Sequence, residues 1–168
     1  IEYFPSWAEP IFETPKNNFL NINKNNHKFN ILFAGNIGDA QDFPAILDAV
    51  DLLKDYSDIH WTIVGGGRQY KLLKNAIKTR NLNSLISLEG THPVEKMPEF
   101  FKDADALLVS LKDDPIFSMT IPGKIQAYLT SGKPILAMLN GEGARIIMES
   151  KSGIVCQAGD SYLLAAAA

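Results

Sequence analysis

Six short apolar segments recur along this chain, and each is followed by a longer segment of mixed composition. The first is FNILFAG at residues 29–35. Apolar residues recur at helical spacing in the segment that follows it, DFPAILDAVDLLKDY at residues 42–56, and predict a helix. Strands that are apolar on both faces and alternate with helices indicate a parallel sheet covered on both sides. We therefore predict an α/β fold: an open parallel sheet of about six strands with helices on both faces.

The remaining units repeat this order of strand and helix. They pair HWTIVGGG with RQYKLLKNAIKTRN, LISLEG with VEKMPEFFKDA, DALLVSL with IPGKIQAYLTSG, KPILAML with EGARIIMES, and SGIVC with the final SYLLAAAA. A polar loop is predicted between DALLVSL and its helix. Ligands of open α/β sheets bind where the strands end at their carboxyl side. The candidate site therefore comprises the loops after Ala34, Val64, Glu89, Leu111 and Leu139.

Composition excludes several classes of protein. The 168 residues are 46% apolar, which suffices for one domain with a sizeable core. A net charge of −3 argues against a nucleic-acid partner. The single cysteine, Cys156, excludes an internal disulfide and a cysteine-based zinc cluster, and no metal site is predicted. No apolar run reaches the roughly 20 residues of a membrane-spanning helix, and we expect a cytoplasmic location.

The two ends of the chain differ from its middle. Residues 1–28 contain three prolines and an Asn-rich stretch without sustained periodicity, which predicts a linker. Residues 29–168 form the predicted α/β domain. Because the chain begins without methionine and SYLLAAAA stops as a helix begins, we interpret the sequence as a fragment of a longer protein.

Two glycine-rich loops follow the first two strands. GNIGDAQD, which contains Gly35, Asn36 and Gly38, opens a helix without any lysine or arginine, so both a tight turn and a phosphate-binding loop remain open. VGGGRQY places Gly66 between two other glycines, which allow a ligand or another backbone to approach closely. We interpret Arg68 as a surface cation near the cleft.

Two further loops carry polar residues. EGTHPVEKM contains His92 after Gly90 and Thr91, and a polar loop residue is favoured over a catalytic base because no nucleophile motif accompanies it. In LNGEGARII, Gly141 and Gly143 bracket Glu142 just before a helix. Glu142 either stabilises the helix N-terminus or faces the cleft.

The segment IPGKIQAYLTSG contains an electrostatic conflict. Its apolar residues form the buried stripe of a helix around Ile125, whereas Lys124 lies in the first turn, where the helix dipole disfavours a cation. An anion bound at the same helix end would offset that cost. We therefore expect phosphate binding near Lys124. Gln126, which flanks the stripe, can hydrogen-bond sugar hydroxyls.

The order of these segments resembles a known family of domains. ILFAGNIGDAQDF, WTIVGGG, LEGTHP, DADALLVSL, PGKIQAYLTSGKPILA and SGIVCQAGD are similar to the C-terminal nucleotide-sugar-binding domain of retaining GT-B glycosyltransferases of group 1, in the bacterial surface-polysaccharide branch, with YFPSWAEPIF as the interdomain linker. The resemblance covers nearly the whole chain. It implies a Rossmann-like half of a GT-B fold that binds the donor, with the acceptor bound mainly by an absent N-terminal domain.

The resemblance also implies roles for individual residues. Gly90, Thr91 and His92 would meet the base and Gln126 the ribose. The other implied donor contacts are Gly35, Asn36, Gly38, Gly66, Lys124, Gly141, Glu142 and Gly143. Lys124 would act in catalysis by stabilising the leaving diphosphate. The donor would be a nucleotide-diphosphate sugar, specifically a UDP-sugar, with no cofactor. The acceptor would be a glycan or a lipid-linked glycan, reached from the cytoplasm or from the inner membrane face.

The sequence departs from this family at several positions. The family often has an Arg-Lys pair after the first strand, where Asn36 and Asp42 stand here, and its two glutamates map onto Ser118 and Gln126. An alternative is therefore a non-catalytic nucleotide-binding or protein-interaction module of the same fold. A sugar-nucleotide epimerase of this architecture is a third interpretation.

Overall fold

The computed structural model describes residues 8–12 and 28–168 and confirms the predicted six-stranded sheet. The strands are all parallel and follow the order β3-β2-β1-β4-β5-β6. Their bounds are β1 Phe29–Ala34, β2 Ile59–Val64, β3 Ile86–Gly90, β4 Ala106–Ser110, β5 Ile135–Met138 and β6 Gly153–Cys156. Each predicted apolar segment thus contains one strand.

Helices connect the strands and cover both faces of the sheet. Their bounds are α1 Phe43–Leu52, α2 Tyr70–Thr79, α3 Met97–Asp103, α4 Pro115–Ser118, α5 Lys124–Ser131, α6 Glu142–Glu149 and α7 Ser161–Ala167. The one-turn helix α4 lies where the sequence predicted only a polar loop. It forms because the Asp114 carboxylate accepts a hydrogen bond from the Ile116 N–H at 2.8 Å and because Pro115 favours the first helical position.

Part of the predicted linker contacts the domain. Residues 1–7 and 13–27 lie outside the described residues, whereas Pro10–Phe12 form a 3-10 turn. The Phe12 ring stacks on Phe101 of α3, with 5.7 Å between the ring centres. The described end of this segment therefore packs against the α3 side of the domain.

Two apolar cores lie on opposite faces of the sheet. Trp61 and Phe33 belong to the core beneath α1, α2 and α7, and Leu107 and Tyr128 belong to the core beneath α3, α5 and α6. Every residue of β4 and β5 is buried, whereas the edge strands β3 and β6 are only partly buried. This matches the continuous apolar runs of the central strands.

The two halves of the sheet separate at their carboxyl edge. β1 and β4 are paired at only two positions, Ile31↔Ala106 and Leu32↔Leu107. Beyond these two pairs, the buried Tyr128 hydroxyl binds backbone groups of β1 that a neighbouring strand would otherwise bind. It accepts a hydrogen bond from the Ala34 N–H at 3.0 Å and donates one to the Ala34 carbonyl oxygen at 3.3 Å. The strand order reverses at this point, which is where open α/β sheets form a ligand crevice.

Candidate functional site

The loops after β1, β2 and β3 meet at the carboxyl edge of the sheet. Gly35 donates its N–H to the Val64 carbonyl at 2.9 Å, and Gly65 donates to the Gly90 carbonyl at 2.7 Å. Backbone hydrogen bonds therefore connect three of the five predicted loops side by side along the carboxyl edge of the sheet.

The three successive glycines after β2, Gly65, Gly66 and Gly67, lie close to different parts of the neighbouring loops. A Cβ atom on Gly65 would lie 1.8 Å from the Gly35 carbonyl oxygen, and one on Gly67 would lie 2.4 Å from the Ile37 carbonyl oxygen. Close approach of backbone therefore explains these two glycines. Gly66 faces Thr91 instead, since its Cβ would lie 2.6 Å from Thr91 Oγ1. The structure thus brings the predicted residues Gly66 and Thr91 together.

Asn36 and Gly38 form the exposed turn after β1. The Asn36 amide fits between Gly38 and Gly67, because a Cβ on either glycine would lie 2.6 Å from one of its amide atoms. The Gly38 N–H donates to Gln41 Oε1 at 3.0 Å. The turn is thus held by its own polar groups, while Gly35 and Asn36 remain exposed to a ligand.

The side-chain amine of Lys124 is buried in apolar surroundings. The residue is partly exposed at the start of α5, but its Nζ atom is fully buried and has no hydrogen-bond partner among the described residues. Nζ lies 3.6 Å from the centre of the Phe33 ring, and a Cβ on Gly35 would lie 3.1 Å from it. Burial lowers the pKa of this amine to about 7. Such an unpartnered amine is costly unless a ligand pairs with it.

The N-terminus of α5 is open beside this lysine. Gly123, which precedes the helix, provides no side-chain cap, and a Cβ at this glycine would meet nothing within 4 Å. The first N–H groups of a helix favour an anion. Lys124 and the end of α5 therefore form one positively polarised corner at the β1–β4 crevice.

Gln126 lies next to this corner but is engaged locally. With its amide nitrogen oriented to donate, it reaches the Gly123 carbonyl at 2.7 Å and the Pro122 carbonyl at 3.2 Å. The ribose contact expected for Gln126 stays a prediction, and it would require the amide to exchange these partners.

The loop after β5 approaches the corner from the other side. Gly141 has a φ of +74°, and its Cβ would lie 1.9 Å from the Ser118 carbonyl oxygen, so the loop packs against α4. Gly143 is buried, with its Cβ position 3.2 Å from both Ile125 and Leu139 side-chain atoms. Packing therefore accounts for both glycines, and their donor contact stays a prediction.

Glu142 and His92 also have local partners. The exposed Glu142 carboxylate accepts from Arg145 at 2.8 Å, and this ion pair lowers the pKa of the carboxyl group. His92 Nε2 lies 3.1 Å from the Glu89 carbonyl oxygen, and its ring packs edge-on against Phe100 at 5.0 Å. These contacts fit the helix-stabilising interpretation of Glu142 and the loop interpretation of His92.

Two closely spaced acidic residues lie at the edge of the sheet opposite the crevice. An Asp-x-Asp sequence, Asp103–Asp105, lies at the amino edge of β4, where Asp105 accepts the Asn30 N–H at 2.9 Å. Within residues 8–12 and 28–168, no group of three or more His, Cys, Asp or Glu side chains is arranged to hold a metal ion. The charge that this corner offers a ligand is therefore that of Lys124.

A separate groove runs between α1 and α2. It is lined mainly by apolar side chains, among them Phe43, Leu47, Leu72 and Leu73, and it shares only Gly38 with the predicted site. It lacks both the lysine and the open helix end of the crevice.

Two residues of the corner were missed by sequence reasoning. Phe33 was assigned only to a strand and Tyr128 only to a buried helix stripe, yet Phe33 contacts the Lys124 amine and Tyr128 binds the backbone of Ala34. A tyrosine at a core position signals a polar partner, because buried hydroxyl groups are normally hydrogen-bonded. Nothing in the sequence indicated the Phe33 contact.

This chain is similar to known proteins along most of its length. The family profile described as "Glycosyl transferases group 1" matches residues 28–168. A probable glycosyltransferase of Pseudomonas aeruginosa, WbjE, is 27% identical over 171 residues, covering 98% of this chain and 42% of that protein. The chain thus spans less than half the length of this curated relative.

Solved structures share the fold. HepE of Anabaena in complex with UDP-glucose superposes with a TM-score of 0.69 at 20% identity, over 83% of this chain and 37% of that one. The C-terminal domain of a group 1 glycosyltransferase, LpcC from Francisella tularensis, gives a TM-score of 0.63 at 19% identity, over 83% of this chain and 73% of that one. No helix within the described residues is both long and apolar enough to cross a membrane.

Proposed function

This chain belongs to the group 1 glycosyltransferase family, and from that premise we propose that it forms the donor-binding half of a retaining glycosyltransferase that uses a UDP-sugar. The observation that carries the proposal is the buried, unpartnered amine of Lys124 beside the open N-terminus of α5. HepE and the pneumococcal O-GlcNAc transferase GtfA, which share this fold, were solved with UDP bound.

The proposed ligand is a diphosphate because its negative charge suits this corner. Negative charge grows on the diphosphate as the bond to the sugar breaks, and a fixed ammonium group with helix N–H donors stabilises it without reorganisation. The exposed backbone at Gly35 and Asn36 faces the same crevice and can approach a phosphate closely. Lys124 supplies the charge that the family's Arg-Lys pair would provide, and no cofactor is required.

The rest of the proposed reaction lies beyond this chain. We propose that the acceptor is a glycan or a lipid-linked glycan, bound mainly by an N-terminal domain, and that transfer takes place on the cytoplasmic side, at the inner membrane face where the acceptor is lipid-linked. The relative from Pseudomonas aeruginosa is more than twice as long as the matched region, which leaves room for such a domain.

Calorimetric titration tests the donor site. UDP, GDP, ADP and UDP-glucose are titrated into the wild-type chain, the Lys124→Met variant and the Lys112→Met variant. Lys112 is the matched control, because it lies at the same sheet edge but pairs with Asp39 at 2.7 Å. We expect UDP and UDP-glucose to bind more tightly than GDP and ADP, and only Lys124→Met to weaken binding. Equal loss in both variants would contradict the assignment.

Extending the titration to several UDP-sugars separates a donor site from a nucleotide-binding module. The module is favoured by one observation, the engagement of Glu142 with Arg145 instead of with the crevice. A module that contacts only the nucleotide predicts equal affinity for UDP-sugars that differ in the sugar. A donor site predicts unequal affinities, because its sugar contacts add to or subtract from nucleotide binding.

A further inference from the structure

The Lys124 amine is buried without any group that would hold its proton in place. Nζ donates to no carboxylate or carbonyl oxygen among the described residues, and the contact that it makes there is with the face of the Phe33 ring. The ring attracts the ammonium form but replaces only part of the hydration that burial removes. Burial without a hydrogen-bond partner therefore favours the neutral form of the unliganded amine and lowers its pKa to about 7.

Charged groups on the surrounding elements are engaged elsewhere. Asp39 after β1 pairs with Lys112 after β4, and Asp113 accepts from Asn140. Asp114 caps α4, Glu142 of α6 pairs with Arg145, and Asp42 and Arg68 flank the loops after β1 and β2. None of these lies within hydrogen-bonding distance of Lys124 Nζ. A ligand is therefore the group that can fix the charge on this amine.

Building on the donor site proposed above, we infer that a nucleotide-diphosphate ligand binds this chain together with one proton, which the Lys124 amine takes up. The nitrogen lone pair forms an N–H bond while the bond between that proton and the buffer acid breaks, which leaves the conjugate base of the buffer. The resulting ammonium group pairs with the diphosphate, and no covalent bond of the ligand changes. The diphosphate oxygens supply the opposite charge that the apolar surroundings of Nζ lack, so the charged form becomes the stable one.

The consequence is a dependence of ligand affinity on pH. Above a pKa of about 7 the free chain must gain a proton on binding, so affinity falls as pH rises. For a pKa of about 7, the neutral fraction of the free amine is about 0.9 at pH 8 and about 0.1 at pH 6. Proton uptake should follow these fractions, and affinity should fall about tenfold between pH 8 and pH 9.

UDP-glucose is the appropriate probe for counting the proton. Both of its phosphates are esterified, whereas the terminal phosphate of UDP titrates near pH 6 and would add its own proton exchange. Binding enthalpy is measured at pH 8 and at pH 6 in several buffers that differ in ionisation enthalpy. The slope of observed enthalpy against ionisation enthalpy gives the number of protons taken up. We expect most of one proton to be taken up at pH 8 and only a small fraction of a proton at pH 6.

Variants assign the proton to its residue. In Lys124→Arg, the guanidinium is already charged, so UDP-glucose should bind with no proton uptake at pH 8. Lys112→Met should keep the wild-type uptake, because Lys112 pairs with Asp39 and is not part of the proposed site. Persistence of the uptake in Lys124→Arg, or its loss in Lys112→Met, would overturn the assignment to Lys124.

The outcomes distinguish this inference from the proposed function. If UDP-glucose binds the wild-type chain at pH 8 without proton uptake, the proton linkage is wrong and the donor site stands. If neither UDP nor UDP-glucose binds at pH 6 or pH 8, the proposed donor site is wrong and the linkage falls with it. Binding with uptake that depends on Lys124 supports both.

Discussion

The Lys124 amine and the Phe33 ring lie 3.6 Å apart although their residues belong to opposite layers of the domain. Lys124 begins α5, which packs on the Tyr128 side of the sheet, whereas Phe33 belongs to the core under α1. The lysine side chain therefore reaches from one layer to the other at the edge where β1 and β4 separate. The proposed ligand binding favours the charged form of this amine, whereas folding stability favours the neutral form.

We expect Lys124→Met to lose ligand affinity and to gain stability. A methionine fills similar space without a buried polar atom, so the free energy of unfolding at pH 7.5 should rise by about 1–3 kcal/mol. Affinity for UDP should fall by about 1.5–3 kcal/mol, the range for hydrogen bonds to charged groups. Urea unfolding and calorimetric titration measure the two effects. A variant that loses stability and affinity together would show that Lys124 is only structural.

The stability of the wild-type chain should rise with pH in a window set by Lys124. Burial lowers its pKa from 10.5 to about 7, so between these values the unfolded chain binds more protons than the folded one. Stability therefore increases from pH 7 towards pH 10, by at most about 1.4 kcal/mol per pH unit, and this contribution is lost as pH falls through 7.

The difference between wild type and Lys124→Met isolates that contribution. Urea unfolding of both chains at pH 7, 8 and 9 gives the pH slope of each, and other groups cancel in the difference. The gap between the variant and the wild type should narrow as pH rises. A gap that stays constant would mean that the amine keeps its proton in the folded chain throughout this range.

Tyr128→Phe should destabilise the chain by about 1–3 kcal/mol. It removes the hydroxyl that accepts the Ala34 N–H, and burial then leaves that N–H without a partner. Amide hydrogen exchange checks this prediction, since the Ala34 amide should lose protection more than amides paired between β1 and β2. Tyr162→Phe is the matched control, because this tyrosine is 74% exposed. Equal protection of Ala34 in both variants would contradict the role given to Tyr128.

Two glycine substitutions should differ sharply although both introduce one methyl group. Gly65→Ala places a Cβ 1.8 Å from the Gly35 carbonyl oxygen at a φ of +143°, so it should destabilise the chain strongly, by about 3 kcal/mol or more. Gly123→Ala meets open space at a φ of −57° and should leave the melting temperature within a few degrees of wild type. Thermal unfolding measures both. Similar melting temperatures would show that the loops after β1 and β2 can separate.

The sequence predicted the sheet well because the signal is carried by the apolar strands themselves. Residues 31–34 of FNILFAG and 106–110 of DALLVSL are buried on both faces of the sheet. Such apolar runs, alternating with helical segments, are typical of the central strands of a parallel sheet. It also singled out Lys124, because a lysine in a first helical turn breaks a local electrostatic rule; the structure shows its amine buried without a hydrogen-bond partner, and its role in ligand binding stays a prediction. The short helix α4 was missed because its signal is limited to Asp114 and Pro115.

Contacts between distant residues could not be predicted in the same way. The Phe33 contact of Lys124 spans 91 positions of sequence and depends on how α5 sits on the sheet. Gly65 and Gly67 were correctly read as sites of close approach, but whether a ligand or a backbone approaches is decided by the loop after β1. Local sequence patterns indicate that a glycine is needed at a position, but they do not identify the atom that approaches it.

The narrow pairing between β1 and β4 also has a mechanical consequence. Two residue pairs join these strands, whereas six join β1 to β2 and four join β4 to β5. Among the described strands, backbone pairing is therefore narrowest at the β1–β4 junction, and we expect a load applied across the sheet to separate the strands there first. The Tyr128 hydroxyl bonds to the Ala34 backbone beyond the last of these pairs, so one side chain of α5 reinforces the junction while another, Lys124, places its unpartnered amine beside the same strand.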